Sequence, residues 1–429
     1  MIVNPKKLIY MKRILSAALC AIALFASCEK DKVVNPVTFK VEIDESTLGD
    51  VNPVPYTVTV TNTSTAISTE FENVTDTVSV TVLPGIYTFV AKSSATVDGE
   101  ERTIVGAVKN VQILPTTTTV PVTVKMAKTS PLIFKEIYYN GCSYKTGETA
   151  EDGTESTDTY FRDQFYEIYN NSNDVVYADG LCICDTDFAS YDFSLFYEFS
   201  YVDGTVASNF DYVFSQIIWQ IPGNGTDYPI QPGESFIIAQ WATNHQDETL
   251  SKGGSPVNLT CAEFEAIEAE STLWNGIVIT DGPAVNMKMA VNAASYAPPQ
   301  WLTAVGGSNM VLFRPSTPLR QEDFLVNNDT SWQQTYCEIN IDDVLDAVQM
   351  IDGETAVEFL GMPALLDVGY IWCDGTYKSQ SVSRKQAGTL ANGSPKYADT
   401  NNTTKDFVLN QSPVIRRDNV GAPSWNTWK

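Results

Sequence analysis

Apolar and polar residues alternate with a period of two along residues 37–127. The stretches with this pattern are rich in Val and Thr and end at Pro, Gly or Asn turns: VTFKVEID, YTVTVTNT, DTVSVTVLPGIYTFVAKSSA and TTVPVTVKMA. Such alternation is typical of half-buried β-strands, and several short strands in succession favour two packed sheets. We therefore predict a β-sandwich domain over residues 37–127.

A second unit begins near residue 130, and its pattern is again mainly that of β-strands. Strands are predicted at 132–139, within 163–183 and at 236–239. Two stretches, 258–275 and 338–352, instead carry apolar residues at helical spacing. The fold class predicted from the pattern is therefore mainly β with one or two short helices.

A short apolar segment near the N-terminus predicts an exported protein. Residues 14–25 follow two basic residues and are too few to cross a bilayer as a helix, which needs about 20 residues. Residues 25–28 read Phe-Ala-Ser-Cys, which resembles the lipobox of bacterial lipoproteins. That resemblance implies cleavage of residues 1–27 and lipidation of Cys28, so that residues 28–36 form a tether.

The mixture of acidic residues and lysine directly after Cys28 resembles the surface-export signal of Bacteroidetes lipoproteins. It implies a chain held in the outer membrane by its lipid and exposed on the cell surface.

The second unit resembles bacterial lamin-tail-like domains. The residues that match are two Glu-containing strands, an Asn turn and a Gly: Glu136, Phe165, Glu167, Ile168, Tyr169, Asn170 and Gly180. IQPGESFIIAQ matches the next hairpin, and SVSRK and DTNNTTKDF match the closing strand and its loop. The whole combination resembles a family of Bacteroidetes lipoproteins called DUF4876, a domain of unknown function.

The resemblance implies two domains behind the tether. Residues 37–127 resemble immunoglobulin-like and carboxypeptidase-regulatory-like modules, which implies a β-sandwich stalk. Residues 130–429 would form a lamin-tail-like β-sandwich domain with an insertion at about 241–370. The family resemblance also implies genes of nutrient uptake as neighbours, and hence a TonB-dependent transporter as a partner.

Charge and histidine content exclude several function classes. The formal net charge of −25 argues against nucleic acid, which would need a basic surface. His245 is the only histidine, so a Ser-His-Asp triad would have to use it and a two-histidine metal site is impossible within one chain. Its sequence context predicts a surface-loop residue. We predict a protein that is not an enzyme and has no catalytic residues.

Carboxylates leave one enzymatic alternative open, a hydrolase with a carboxylate pair. Glu136 and Glu167 lie in mid-strand among apolar residues and are the obvious candidates. A structural role is favoured, in which Glu136 or Glu167 forms an ion pair with Arg384 of the closing strand.

No cofactor or metal is predicted, and calcium is the one ion that such an acidic chain would suit. The oxygen-rich stretches are 185–192 and 399–406, and neither has the spacing of a known calcium loop. Six cysteines remain after the signal and Cys28, which allow 15 pairings that sequence cannot choose among: Cys142, Cys182, Cys184, Cys261, Cys337 and Cys373.

Aromatic residues crowd residues 188–201 and would occupy both faces of a strand. One face is expected to be core, and the other is a candidate for ligand or partner contacts. The candidates are Tyr191, Phe193, Phe196, Tyr197 and Tyr201. The function predicted is that of a surface-anchored binding or accessory protein, with an adhesion or scaffold protein for surface glycans or proteins as the alternative.

Overall fold

The structure is a computed structural model that describes residues 34–428, except 64, 66, 150–152, 187–198, 206–210, 269–270, 273–275, 295–300, 302, 327–329 and 355–361. Its regular structure is almost entirely β-strand, which confirms the predicted fold class. Within the described residues, no helix is long and apolar enough to cross a membrane.

The N-terminal unit is a sandwich of two sheets. The first sheet has the order β4-β1-β7: β1 (Val37–Asp44), β4 (Thr77–Val82) and β7 (Thr119–Thr123). The second has the order β3-β2-β5-β6-β8: β2 (Tyr56–Asn62), β3 (Ser68–Val74), β5 (Gly85–Val97), β6 (Glu100–Ile113) and β8 (Lys125–Met126). Phe39 and Phe89 meet edge to face at 5.9 Å within the shared core. Every second residue of β1 is buried, as the alternation predicts.

The distal unit is built on a seven-stranded sheet with the order β21-β20-β19-β12-β9-β27-β30. Its strands are β9 (Leu132–Tyr138), β12 (Phe165–Asn170), β19 (Ser235–Ala239), β20 (Phe264–Glu265), β21 (Val285–Asn286), β27 (Ser381–Arg384) and β30 (Phe407–Asn410). One face of this sheet packs on a five-stranded sheet with the order β22-β17-β14-β23-β26. The strands of that second sheet are β14 (Cys182–Thr186), β17 (Ile217–Gln220), β22 (Lys288–Asn292), β23 (Asn309–Phe313) and β26 (Val344–Gln349).

A four-stranded sheet with the order β15-β24-β25-β16 forms a third layer. Its strands are β15 (Phe199–Tyr201), β16 (Tyr212–Ser215), β24 (Gln321–Val326) and β25 (Gln333–Asn340). Cys337 and Ile339 of this sheet join Cys184 and Val311 of the five-stranded sheet in one buried cluster.

Short hairpins and turns complete the unit. The paired strands are β10 (Cys142–Thr149) with β11 (Glu155–Tyr160), β13 (Val176–Tyr177) with β18 (Pro229–Ile230), and β28 (Gln386–Thr389) with β29 (Pro395–Tyr397). The helical pieces are α1 (Thr403–Asp406) and the 3-10 turns Ile341–Asp343 and Arg417–Asn419.

Both predicted helices are wrong in the part of the chain that the structure describes. Residues 258–275 contain turns and the short strand β20, and residues 338–352 contain the end of β25, a 3-10 turn and β26. Strand β26 is buried on nearly every side chain, because it lies between two sheets. A strand with two buried faces loses its alternation, so periodicity alone does not separate it from a helix.

The six remaining cysteines are unpaired thiols, and five of them are buried. Cys182 and Cys184 point to the same face of β14, where they pack among apolar side chains. Burial raises the pKa of the Cys182 thiol. These side chains therefore behave as small apolar core residues rather than as cross-links.

Candidate functional site at the junction of the two units

A cleft of about 280 Å³ lies between the sandwich and the distal unit, and we call it the junction cleft. Its lining residues come from β8 and the segment after it, the start of β16, the end of β25, the Ile341–Asp343 turn, the start of β26 and short loops: Lys125, Met126, Lys128, Asp211, Tyr212, Asn340, Ile341, Asp342, Val344, Leu345, Asp346, Ala347, Leu365, Leu366 and Asn401. The volume is near the lower end of the roughly 300–1,000 Å³ of small-molecule sites.

The cleft combines charged rims with apolar walls. Lys128 Nζ lies 2.6 Å from Asp342 Oδ1, and both side chains are largely exposed. Their contact lowers the pKa of Asp342. Lys125 and Asp211 add one charge of each sign, so the rim offers donors and acceptors for a polar ligand while Leu365 and Leu366 supply apolar contact.

Asn401 connects the cleft to both units. Its side-chain amide donates to the carbonyl oxygens of Lys128 at 3.1 Å and Leu366 at 3.3 Å. Its φ of 54° is the left-handed conformation that Asn tolerates better than most residues. The buried amide oxygen of Asn401 has no hydrogen-bond partner among the described residues. A ligand or water with a donor group would complete this wall of the cleft.

Arg384 lies beneath the cleft and contacts Asp346, one of the residues that line it. Its guanidinium Nη2 donates to both carboxylate oxygens of Asp346, at 2.7 and 2.8 Å. Its Nη1 lies 3.4 Å from a carboxylate oxygen of Asp399 and of Asp406, and its plane lies over the Phe407 ring at 4.7 Å. Asp346 also accepts the Phe134 backbone N–H at 2.7 Å. This network fixes β26 against the seven-stranded sheet.

Burial dominates the electrostatics of this network. It raises the pKa of Asp399 to about 7, an effect that Arg384 opposes and the carboxylates of Asp346 and Asp406 reinforce. Burial disfavours the charge of Arg384, but its three carboxylate neighbours outweigh that cost and raise the pKa of Arg384. The arginine therefore remains a permanent cation beneath the cleft.

The predicted pairing of Arg384 with Glu136 or Glu167 is replaced by these contacts. Ser383, not Arg384, lies opposite Glu136 in the β27–β9 pair. Successive strand residues point to opposite faces, so Arg384 points toward the five-stranded sheet while Glu136 points away from it. The predicted strand, β27, does lie next to β9, but Arg384 is on the opposite face of the sheet from Glu136.

Glu136 and Glu167 lie on the outer face of the seven-stranded sheet, where other cations meet them. A β-bulge in β9 places the side chains of two consecutive residues, Lys135 and Glu136, on this face. Arg417 contacts both oxygens of Glu136, each at 3.0 Å, and Lys135 Nζ lies 3.2 Å from Glu167. Burial raises the pKa of Glu167, and Lys135 opposes that effect. Both glutamates serve as structural ion-pair partners in this arrangement.

Of the five aromatic candidates, Tyr201 is the one that lies within the described residues. Its hydroxyl donates to both carboxylate oxygens of Glu338 at 2.8 Å, and its ring packs on Phe324 at 5.3 Å. It is half-buried in the four-stranded sheet that also supplies Tyr212 to the cleft. Cys28, Tyr191, Phe193, Phe196 and Tyr197 lie outside the described residues.

The described residues contain no group of three His, Cys, Asp or Glu side chains arranged to hold a metal ion. Asp399 and Asp406, which were candidates for calcium, contact Arg384 instead. Asp187 and Asp192 of the other acidic stretch lie outside the described residues.

His245 is fully buried, so its interpretation as a surface residue is wrong. Its Nε2–H donates to the Trp241 carbonyl at 2.9 Å, and its Nδ1 accepts the Tyr160 hydroxyl at 2.8 Å. Burial lowers the pKa of His245 to about 4. The neutral imidazole therefore joins the loop that follows β19 to the end of β11.

Replacing His245 by Gln is expected to change the pH dependence of stability. The folded pKa of about 4 lies below the unfolded value of about 6.5, so the stabilisation is complete above the unfolded value and is lost as the pH falls toward 4. The loss amounts to about 3 kcal/mol. Urea denaturation at about pH 7.5 and 4.5 should show the native protein losing this much relative to the His245→Gln variant; parallel losses would contradict the assignment.

Comparison with known proteins identifies a family for this chain. The model of the family DUF4876, described as a protein of unknown function, matches residues 231–414. The crystal structure of a DUF4876 family protein from Bacteroides thetaiotaomicron VPI-5482 is 31% identical, covers 91% of this chain and 99% of that chain, and superposes with a TM-score of 0.59. The chain therefore belongs to the DUF4876 family.

A second solved structure, that of a candidate adhesin from Bacteroides ovatus ATCC 8483, is 7% identical and covers 75% of this chain and 89% of that chain. Its TM-score of 0.20 is too low to support a shared fold. No curated protein matches the chain.

Proposed function

We propose that this chain is a lipoprotein, anchored through Cys28 in the outer membrane and exposed on the cell surface, that binds a ligand or partner without chemical turnover. The lipobox-like residues 25–28 support the anchor. The buried glutamates with the strongest claim to catalysis, Glu136 and Glu167, are each engaged by a cation of the same chain, which supports a structural role for them.

The observation that carries the binding role is the junction cleft. It is concave, it lies between two units, and its floor is fixed by the Arg384 network rather than left to a mobile loop. Preformed clefts of this kind bind ligands at a low ordering cost. The exposed Lys128–Asp342 pair at the rim is the group that a polar ligand would meet first.

The kind of partner is inferred from the family resemblance. We propose a TonB-dependent transporter as the partner protein, on the strength of the resemblance to surface lipoproteins that accompany nutrient uptake. The cleft would then present a small polar ligand, or accept a polar segment of the transporter, on the side of the molecule where the two units meet.

Pull-down of the tagged, full-length protein from gently solubilised outer membranes tests the proposal. We expect a transporter to co-purify with the native protein, to be lost with Cys28→Ala, and to be reduced with Lys125→Glu, which reverses one charge of the cleft rim. Lys40→Glu is the matched control, because Lys40 is also an exposed strand lysine of the sandwich but lies outside the cleft.

Other outcomes would reject parts of the proposal. An equal loss with Lys40→Glu and Lys125→Glu would remove the cleft from the binding role. A protein that is lipidated and surface-exposed but is recovered alone would favour the adhesion or scaffold function. Tyr201 and its neighbours on β15 would then become the first positions to mutate.

A further inference from the structure

One end of the N-terminal sandwich carries four exposed large aliphatic side chains. They are Ile67, Leu83, Ile86 and Leu114, with exposed fractions of 68%, 54%, 43% and 45%. Backbone contacts bring their loops together, because Asn62 N–H donates to the Ile67 carbonyl at 2.9 Å and Thr63 N–H donates to the Ile86 carbonyl at 3.0 Å. We call these four residues the apolar end.

The loops of the apolar end contain no charged residue. Their sequences are TSTAI at 63–67, LPGI at 83–86 and LPTTT at 114–118. The absence of charge contrasts with the chain as a whole, which has 52 Asp and Glu residues and a net charge of −25. Contiguous apolar surface without charge marks a contact with a protein or a membrane.

The chain enters the sandwich at this same end. Val37, the first residue of β1, lies opposite Val82, which directly precedes Leu83. Val34 is itself 57% exposed, and Cys28 precedes it by only six residues. Six extended residues span about 20 Å at most, so an acyl group on Cys28 cannot be far from the apolar end.

The opposite end of the sandwich meets the distal unit. Glu101, at the β5–β6 turn, pairs with Lys405 at 2.7 Å, and its neighbour Glu100 pairs with Lys396. Thr103 donates its hydroxyl to the Thr400 carbonyl at 2.6 Å. The apolar end therefore lies away from the distal unit, on the side where the chain enters the sandwich.

We propose that the apolar end docks on the lipid bilayer that holds the acylated Cys28, with Ile67, Leu83, Ile86 and Leu114 inserted among the lipid headgroups. The proposal rests on the lipid anchor of the proposed function. A second contact beside the acyl chains strengthens anchoring and limits the orientations of the molecule. Docking would hold the sandwich upright and present the junction cleft at a fixed height above the membrane.

The test places one fluorescent probe at each end of the sandwich. Leu83→Cys and Val54→Cys are matched sites, since the two side chains are 54% and 53% exposed and lie at opposite ends. Each is labelled with nitrobenzoxadiazole in a Cys261→Ser background, because Cys261 is the one described native thiol that is partly exposed. The full-length lipoprotein is reconstituted in phosphatidylcholine vesicles, and dithionite reduction of the probe is measured.

We expect the probe at position 83 to emit at shorter wavelength and to be reduced several-fold more slowly than the probe at position 54. In a second pair, a probe at Leu114→Cys should lose its protection when Leu83→Glu and Ile86→Glu are added, and keep it when Val54→Glu is added. Equal reduction at both ends, or protection that survives the two glutamates, would overturn docking.

Mass spectrometry of the N-terminal peptide separates this result from the anchor itself. A lipidated Cys28 with equally exposed probes would reject docking and leave the anchor in place. A Cys28 without lipid would reject both proposals.

Discussion

Replacing Arg384 by Leu is expected to lower the free energy of unfolding by about 3–5 kcal/mol at neutral pH, because breaking a buried ion pair leaves an uncompensated charge. Arg384 is the cation that contacts Asp346, Asp399 and Asp406, and it is itself almost fully buried. The loss would also release β26, and with it the floor of the junction cleft.

The destabilisation should shrink as the pH falls. Burial already raises the pKa of Asp399 to about 7 with Arg384 present, and without the arginine the folded carboxylates would bind protons at still higher pH. A carboxyl whose folded pKa lies above its unfolded value stabilises the fold at low pH, and this contribution is lost as the pH rises through the folded pKa. The defect of the variant should therefore be largest near pH 8 and smaller near pH 5.

Urea denaturation followed by circular dichroism at these two pH values measures the effect. Arg320→Leu is the control, because Arg320 is exposed and its loss should cost at most about 0.5 kcal/mol. Arg384→Lys should fall between the native protein and Arg384→Leu, since lysine keeps the charge but not the planar fork that contacts both oxygens of Asp346. A variant as stable as Arg320→Leu would show that the network contributes nothing.

The strands were predictable where local pattern and burial agree. The predicted strand VTFKVEID coincides with β1, and 132–139 coincides with β9 to within one residue. One face of β1 is buried and the other is exposed, so the alternation of apolar and polar residues predicts this strand directly. Strand β9 is buried on every side chain and was recognised by its apolar content instead.

Long-range partners could not be predicted in the same way. The face on which Glu136 lies depends on a bulge at residue 135, which sequence alternation does not show. One signal was available: the alternation in Ser381–Arg384 places Arg384 with Val382 on the core face, away from Ser383. The junction cleft could not be predicted from the sequence, because its lining residues come from separate segments spread between positions 125 and 401.

The C-terminal segment, residues 412–428, had no predicted role, yet it covers the outer face of the seven-stranded sheet. Val414 N–H donates to Glu136 at 2.8 Å, and Arg416 N–H donates to Glu167 at 3.2 Å. The Arg416 guanidinium also contacts Glu263 at 2.5 Å. The backbone of Arg416 has a φ of 52°, a conformation that costs free energy unless its surroundings hold it.

Deleting residues 412–429 is therefore expected to unfold the distal unit, which is the largest effect we predict. The deletion removes Arg417 from Glu136 and Arg416 from Glu263, and two buried carboxylates would lose their cations; each such loss costs about 3–5 kcal/mol, and together they approach the 5–15 kcal/mol of a whole domain. It also removes Trp425, whose indole N–H donates to the Pro229 carbonyl at 2.9 Å.

The N-terminal sandwich supplies an internal control in the same molecule. Its core cluster contains no residue of the distal unit, so its own unfolding transition should survive the deletion while the distal transition disappears from a calorimetric scan. Limited proteolysis should then leave a fragment of about residues 34–127. Adding a synthetic peptide of residues 412–429 in excess should restore part of the lost transition, because the peptide would again contact Glu136, Glu167 and Glu263. Ser381 donates its hydroxyl to Glu136 at 2.7 Å, and Lys135 contacts Glu167. A truncated protein that kept both transitions unchanged would show that these neighbours are sufficient to stabilise the carboxylates.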